Sequence, residues 1–229
     1  MMVLDVVSPF SISHKWRFEI SNEEPEPFPY LTENEKRAVD CLKEIGVIGG
    51  NQLTRIFFAG DKKKTRKMLQ KGIIVQHSLR AKAKDIPFYT LSPYLIDQVG
   101  GIHPSKLSVR GTLSRMVFFQ LYARMKEIFP VTIKKPDKGP HVAILERDDG
   151  TPFHIGVVRG NVEKWEQFLK WEYANEKIIL VAEQLSFIKP LEGYLQDKMI
   201  RVTTDIDLKD TPTDELFYQW DGVKWVKDM

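Results

Sequence analysis

Nine lysines and arginines fall within residues 61–90, at Lys62, Lys63, Lys64, Arg66, Lys67, Lys71, Arg80, Lys82 and Lys84, against two acids, Asp61 and Asp85. That stretch carries +7 and the remainder of the chain −4, for a net +3. A compact basic segment on an otherwise mildly acidic chain suits a polyanion, with nucleic acid as the first expectation. On a helix, the segment DKKKTRKMLQKG places Thr65, Met68 and Leu69 on one face and Lys63, Arg66, Lys67 and Gln70 on the opposite one. The apolar face can dock on a core while the other presents cations for phosphates and a Gln amide for base edges. The expected groove-facing set is therefore Lys63, Arg66, Lys67 and Gln70. Lys62, Lys64, Arg80, Lys82 and Lys84 are the expected phosphate contacts, and Thr54 and Arg55 would add contacts to the DNA backbone.

Other groupings carry less. Glu146, Asp148 and Asp149 are close in sequence, but Asp148-Asp149-Gly150 reads first as a hairpin turn and second as a metal site. His141 and His154 would approach each other across that hairpin, though two histidines without a carboxylate or cysteine make a poor metal site. Cys41, the one cysteine, lies near the apolar side of a helix and reads as a small core residue. No phosphate-binding glycine loop, dinucleotide fingerprint or nucleophile elbow is present, and no cofactor or metal is expected.

The elements around the basic segment form a recognisable order. LTENEKRAVDCLKEIG has Thr32 and Glu35 in capping-box spacing, Ala38, Val39, Leu42 and Ile45 at helical intervals, and Gly46 as a stop. QLTRIFF predicts a short second helix broken at Gly60, and the basic helix follows with Asp61 as its cap and Gly72 just past its end. IIVQHSL and IPFYTLS then predict two strands around the basic turn RAKAKD, and SPYLIDQVG a short closing helix. Three helices and a two-stranded hairpin are the order of a winged helix-turn-helix over residues 31–100, whose third helix enters a major groove and whose hairpin turn touches phosphate or the neighbouring minor groove. Residues 1–30, with VLDVV and WRFEI as short strands before the Pro-rich NEEPEPFPY, read as an N-terminal arm.

The length of 229 residues suits two domains, and 42% hydrophobic with 28% charged residues is the composition of a folded chain. The 14 glycines and 13 prolines exclude a collagen-like or low-complexity chain. No apolar run is long enough to span a bilayer, and MMVLDVVSPF, with Asp5 inside its apolar run, is unlike a secretory leader. With no cysteine pair, the expectation is a cytoplasmic protein without membrane association.

Residues 105–229 predict a second domain. SKLSVRGTLSRMVFFQLYARMKEIF is a helix apolar on most of its circumference, with Phe118 and Phe119 adjacent, so that one ring would face the core and the other a partner in a homodimer. The strand VTIKK, the hairpin HVAILE–DDGTP–FHIGVV, the amphipathic helix NVEKWEQFLKWEYAN and the buried strand KIILVA follow. LSFIKPLEGYLQDK is expected to be partly helical, MIRVTTD to be a strand, and LFYQWDGVKWV to be a hairpin turning at Asp221-Gly222, with Trp220 and Trp225 a second candidate pairing surface. The α-β-β-β-α-β order resembles the restriction-endonuclease-like core.

Over residues 31–205 the chain resembles the replication-relaxation family of plasmid and mobile-element proteins of Gram-positive bacteria. The resemblance rests on LTENEKRAVDCLKEIGVIGGNQLTRIFF, the YTLS exit from the hairpin, and the strand running into RGNVEKWEQFLKW. It implies an α+β protein with an N-terminal winged helix and a restriction-endonuclease-like α/β domain. Members of that family often carry a proline-aspartate pair before the second strand, then an acid on the third strand ahead of an arginine-glycine step. Here Pro140 precedes His141, and Gly156 and Val158 stand ahead of Arg159-Gly160 where acids are expected, so the domain is expected to be catalytically inactive. The function expected is sequence-specific binding of double-stranded DNA as a homodimer, by a transcriptional regulator of a plasmid, phage or integrated element. The alternatives are a metal-dependent nuclease or plasmid replication and relaxation factor, and a protein-binding adaptor without DNA contact.

Overall fold

The computed structural model describes residues 8–20, 30–81 and 84–228, so VLDVV, most of the Pro-rich stretch and Lys82 lie outside the described residues. The fold mixes α-helices and β-strands in two compact units, one of residues 14–119 and one of residues 8–13 with 120–228. The boundary falls inside the long helix rather than near residue 105, and WRFEI belongs to the first unit while residues 8–13 belong to the second. The expected arm and domain borders therefore shift. The reason is local bonding: Gln52 Nε2 donates to the Met116 carbonyl at 2.5 Å, which holds the first half of that helix to the first unit.

In the first unit, α1 (Glu33–Ile45) starts on the expected capping box: the Glu35 amide donates to Thr32 Oγ1, and the Thr32 amide donates to Glu35 Oε2 at 2.8 Å. Ala38, Val39, Leu42 and Ile45 are buried along one stripe, and Gly46 ends the helix at φ 86°. A two-residue strand β2 (Ile48–Gly49) leads into α2 (Gly50–Phe58), which buries Leu53, Phe57 and Phe58. Ala59 and Gly60 both take positive φ, 49° and 87°, and turn the chain sharply into α3 (Lys62–Gln70). The hairpin pairs β3 (Ile74–Ala81) with β4 (Lys84–Leu91) in unbroken register from Ile74–Leu91 to Ala81–Lys84. The short strand β1 (Arg17–Glu19) adds to the outer edge of β3, and β2 pairs with β4, giving the sheet order β1-β3-β4-β2. Neither addition was foreseen in the sequence. Ser92 caps α4 (Pro93–Val99), which closes the hairpin.

The long helix is α5 (Val109–Ile128). Phe118 and Phe119 are both fully buried within the chain, so, contrary to the expectation of one ring in the core and one at a partner, neither is left over for pairing. Apolar side chains on most sides of this helix serve the chain's own packing.

The second unit holds a seven-stranded sheet of β5 (Val131–Lys134), β6 (His141–Arg147), β7 (Pro152–Val158), β8 (Ile178–Ala182), β9 (Ile200–Thr204), β10 (Tyr218–Trp220) and β11 (Trp225–Lys227), ordered β11-β10-β9-β8-β7-β6-β5. β5, β6 and β7 form an antiparallel meander, whereas β7, β8 and β9 run parallel. Between β7 and β8 the chain crosses over through α6 (Val162–Trp171), whose Trp165, Phe168 and Leu169 pack on Val158, Ile178, Leu180 and Ala182. The short helix α7 (Asp205–Asp210), absent from the sequence-based elements, follows β9 directly. Trp220 and Trp225 meet edge to face with centroids 5.2 Å apart and pack on this same core, and the Trp225 indole donates to Glu192, so the tail hairpin folds onto its own unit. Among the described residues no helix is long and apolar enough to cross a membrane.

Candidate nucleic-acid interface

The helix α3 is held from inside and capped at its start. Asp61 Oδ1 accepts the Lys63 amide at 2.9 Å, while Thr65 and Met68 are buried. Lys62, Lys63, Lys64, Arg66, Lys67 and Gln70 are exposed, as the helical spacing predicts. At about 100° per residue, Lys62, Arg66, Gln70, Lys63 and Lys67 follow one another around an arc of about 140°. Among the described residues none of the five cations of α3 makes an ion pair, so their charge faces solvent uncompensated. Arg55 is exposed on α2.

Thr54 does not sit where a contact to the DNA backbone requires. It is buried, its hydroxyl donates to the Gly50 carbonyl at 2.9 Å, and it meets Thr65 Oγ1 at 3.2 Å. A group that fastens α2 to α3 cannot also reach a phosphate. Lys71, counted in the basic run but not among the site residues, is likewise structural: its ammonium donates to both oxygens of the buried Glu35 at 3.0 and 3.1 Å and to the Tyr30 carbonyl at 3.2 Å. The Lys71 charge and the Thr32 hydrogen bonds hold the Glu35 carboxyl below its ordinary range although burial acts the other way.

The hairpin end of the basic segment differs from the helix. Arg80 lies 2.6 Å from Glu19 and 3.5 Å from Asp85, and Lys84 Nζ lies 2.8 Å from His14 Nε2. Glu19 belongs to β1, so the added edge strand brings the acid that offsets Arg80. Lys82 at the tip lies outside the described residues. Lys62 to Lys67 thus form the concentrated positive surface, and the hairpin contributes less than its sequence suggests.

The second unit was the candidate for metal chemistry, and its residues do not fit a metal. Gly156, at the position expected to be acidic, leaves space that is already filled: a Cβ there would lie 2.2 Å from Trp165 Cζ2 and 2.6 Å from Leu180 Cδ2. Val158 is buried in the core beside Trp165. His141 does approach His154, with ring centroids 5.0 Å apart, and it packs edge-on against Trp165 and Phe168; among the described residues the one carboxylate whose charge acts on both rings is Glu176. Among the described residues, Nδ1 of both histidines and Nε1 of Trp165 are buried without a hydrogen-bond partner. Burial, aided by the neighbouring His154, pulls the His141 pKa down to about 4, and burial also lowers His154. Glu146 pairs with Lys134 at 2.7 Å, and Asp149 accepts the Thr151 amide within the turn. Among the described residues no three His, Cys, Asp or Glu side chains converge as metal ligands.

One polar cluster was not found from sequence. Val158, Ala182 and Thr204 are register partners across the parallel strands, and the residues that follow them are Arg159, Glu183 and Asp205. All three are buried; Arg159 pairs with Asp205 and lies 3.7 Å from Glu183. The Ser8 hydroxyl donates to Asp205, and the Ile12 amide donates to Glu183 at 3.4 Å, which docks residues 8–12 on the second unit. The arginine-glycine step thus ends in a salt-bridged anchor. No family model, curated protein or solved structure matches the chain.

Proposed function

We propose that residues 31–100 are a winged helix that binds double-stranded DNA, with α3 in the major groove, and that the protein is a transcriptional regulator of a plasmid, phage or integrated element. The observation that carries this reading is the solvent-facing arc of Lys62, Lys63, Arg66, Lys67 and Gln70 on a helix anchored through Thr65 and Met68. Cations without acid partners release counterions when they meet phosphates, and a Gln amide among them can read a base edge. An adaptor for acidic proteins would need no such polar reader, and the helix dimensions match a major groove.

The second unit, on this reading, keeps a nuclease-like strand order without nuclease chemistry. The order β5-β6-β7-β8-β9, with β6 alone antiparallel among them, supports the first half of that statement. Trp165 against Gly156 supports the second. Because one winged helix spans few base pairs, we place the working form as a homodimer on an inverted repeat, in the cytoplasm. The test is selection of bound duplexes from a random DNA pool. Recovery of one inverted-repeat sequence supports the reading, and a pool that stays random overturns sequence-specific binding.

A further inference from the structure

The sheet of the second unit carries a cavity that the DNA-binding reading does not use. It has a volume of about 330 Å³ and lies at the amino ends of β8 and β9, with Arg147, Lys177 and Arg201 around Phe153 and Ile179. A lobe of about 210 Å³ adjoins it and shares Arg147, Phe153, Ile179 and Arg201. Together the two reach the size of an ordinary small-molecule site.

The strand register explains how the groups meet. Ile179 and Arg201 are partners across β8 and β9, and Phe153 lies at the start of β7 beside them. Arg147 ends β6, with its guanidinium 4.8 Å from the centroid of Phe129, and Lys177 immediately precedes β8, with its ammonium 6.0 Å from the Phe153 centroid. The floor is apolar, since Phe153 and Ile179 are buried, whereas Met199 at the rim is half exposed. Three cations thus stand around an apolar floor. A charge-assisted fork of arginine suits a carboxylate or phosphate, and an apolar floor suits a flat hydrocarbon body.

The chain itself supplies a carboxylate to this place. Asp228 lines the adjoining lobe and pairs with Arg201, so the guanidinium is already oriented to receive an oxyanion. Asp149 takes a looser position, 3.3 Å from Arg147 and outside the lining of either lobe.

We propose that this cavity binds a small molecule with an anionic head and a planar apolar body, held by Arg147, Lys177 and Arg201 over Phe153 and Ile179, with Asp228 as the internal group it displaces. The inference does not depend on DNA binding, because every residue in it belongs to the second unit.

The probe is 8-anilinonaphthalene-1-sulfonate, titrated by fluorescence against the natively folded full chain, with 1-naphthoate, dAMP and inorganic phosphate as competitors. Saturable binding is expected, with naphthoate or dAMP displacing the dye and phosphate alone failing to do so at equal concentration. Which organic competitor wins separates a carboxylate from a phosphate head. Loss of a charge-assisted contact in Arg147→Gln or Arg201→Gln should weaken the dye about tenfold or more. Met199→Glu, at an exposed rim position that leaves the fold alone, should weaken it as well, and Asp228→Asn should tighten it. Dye affinity unchanged in Met199→Glu and Asp228→Asn, or displacement by phosphate as effective as by naphthoate and dAMP, overturns the proposal.

Discussion

The hydroxyls of Thr54 and Thr65 meet at 3.2 Å, and both residues are buried. This polar stitch sets how α3 leans on α2, and so which of its side chains face outward. Thr54→Val keeps the shape and removes the hydrogen bonds to Gly50 and Thr65, so the expected loss is about 1 kcal/mol of stability. Chemical denaturation measures it. Duplex affinity, corrected for the folded fraction, should stay within about twofold; a larger drop would return Thr54 to the contact surface.

The basic face carries the affinity prediction. If about five Lys/Arg side chains, those of α3 foremost, engage phosphates, log K should fall with log salt at a slope of about −4.5. Lys63→Glu combined with Lys67→Glu should abolish duplex binding and leave the thermal midpoint near its original value, since both side chains are exposed. Lys71→Met should do the reverse, destabilising the unit by stripping the buried Glu35 of its cation while sparing affinity. Swapped outcomes for these variants would refute the assignment of α3.

Acid should unfold both units through histidine. His77 and His141 are each held near pKa 4 by burial, below the ordinary 6.5. Between those values the unfolded chain takes up protons that the folded chain refuses. Stability is therefore complete above about pH 6.5, declines as pH falls toward 4, and flattens below it with respect to these groups. Denaturation midpoints between pH 7.5 and 4.5 measure the slope. His141→Phe should make it shallower, since that ring no longer titrates while His77 still does.

Gly156 makes a packing prediction. Gly156→Ala brings a Cβ to 2.2 Å from Trp165, and a core so overfilled should lose about 1–3 kcal/mol or more. Gly156→Asp should lower stability further without creating a magnesium site by calorimetry; magnesium-dependent cleavage of supercoiled plasmid by that variant would overturn the reading of this place as packing.

Pairing is tested by light scattering. The proposed homodimer should give twice the chain mass of 26.6 kDa at micromolar concentration, and the single-chain mass with and without DNA would refute it. Phe118→Asp and Phe119→Asp should both unfold the chain rather than split a dimer, because each ring is fully buried and a buried unpaired carboxylate is costly.

The local features of the fold were legible because their signals are local. The Thr32–Glu35 box, the Asp61 cap, the turn at Asp221-Gly222 and the outward arc of α3 each follow from a few neighbouring residues. Thr54 was readable too: it stands three and four residues before Phe57 and Phe58, on the side those rings bury, and its hydroxyl masked that spacing. The quenching of Arg80 by Glu19 was not readable, since the pairing of β1 with β3 joins segments far apart in sequence. The same holds for Arg159, Glu183 and Asp205, which meet because three strands end in step. Gly156 inside an apolar strand did hint at a close approach, but the identity of the approaching group, Trp165, needed the crossover of α6.

The unpaired cations of α3 work against the helix that bears them. Lys62 with Arg66 and Lys63 with Lys67 are like charges one turn apart, and Lys62, Lys63 and Lys64 crowd the positive end of the helix dipole. The helix is thus electrostatically frustrated in isolation, and on the proposed function a polyanion settling on it would remove the frustration as it binds. Part of the binding free energy would then reappear as rigidity, so that the ligand would tighten the very surface that receives it.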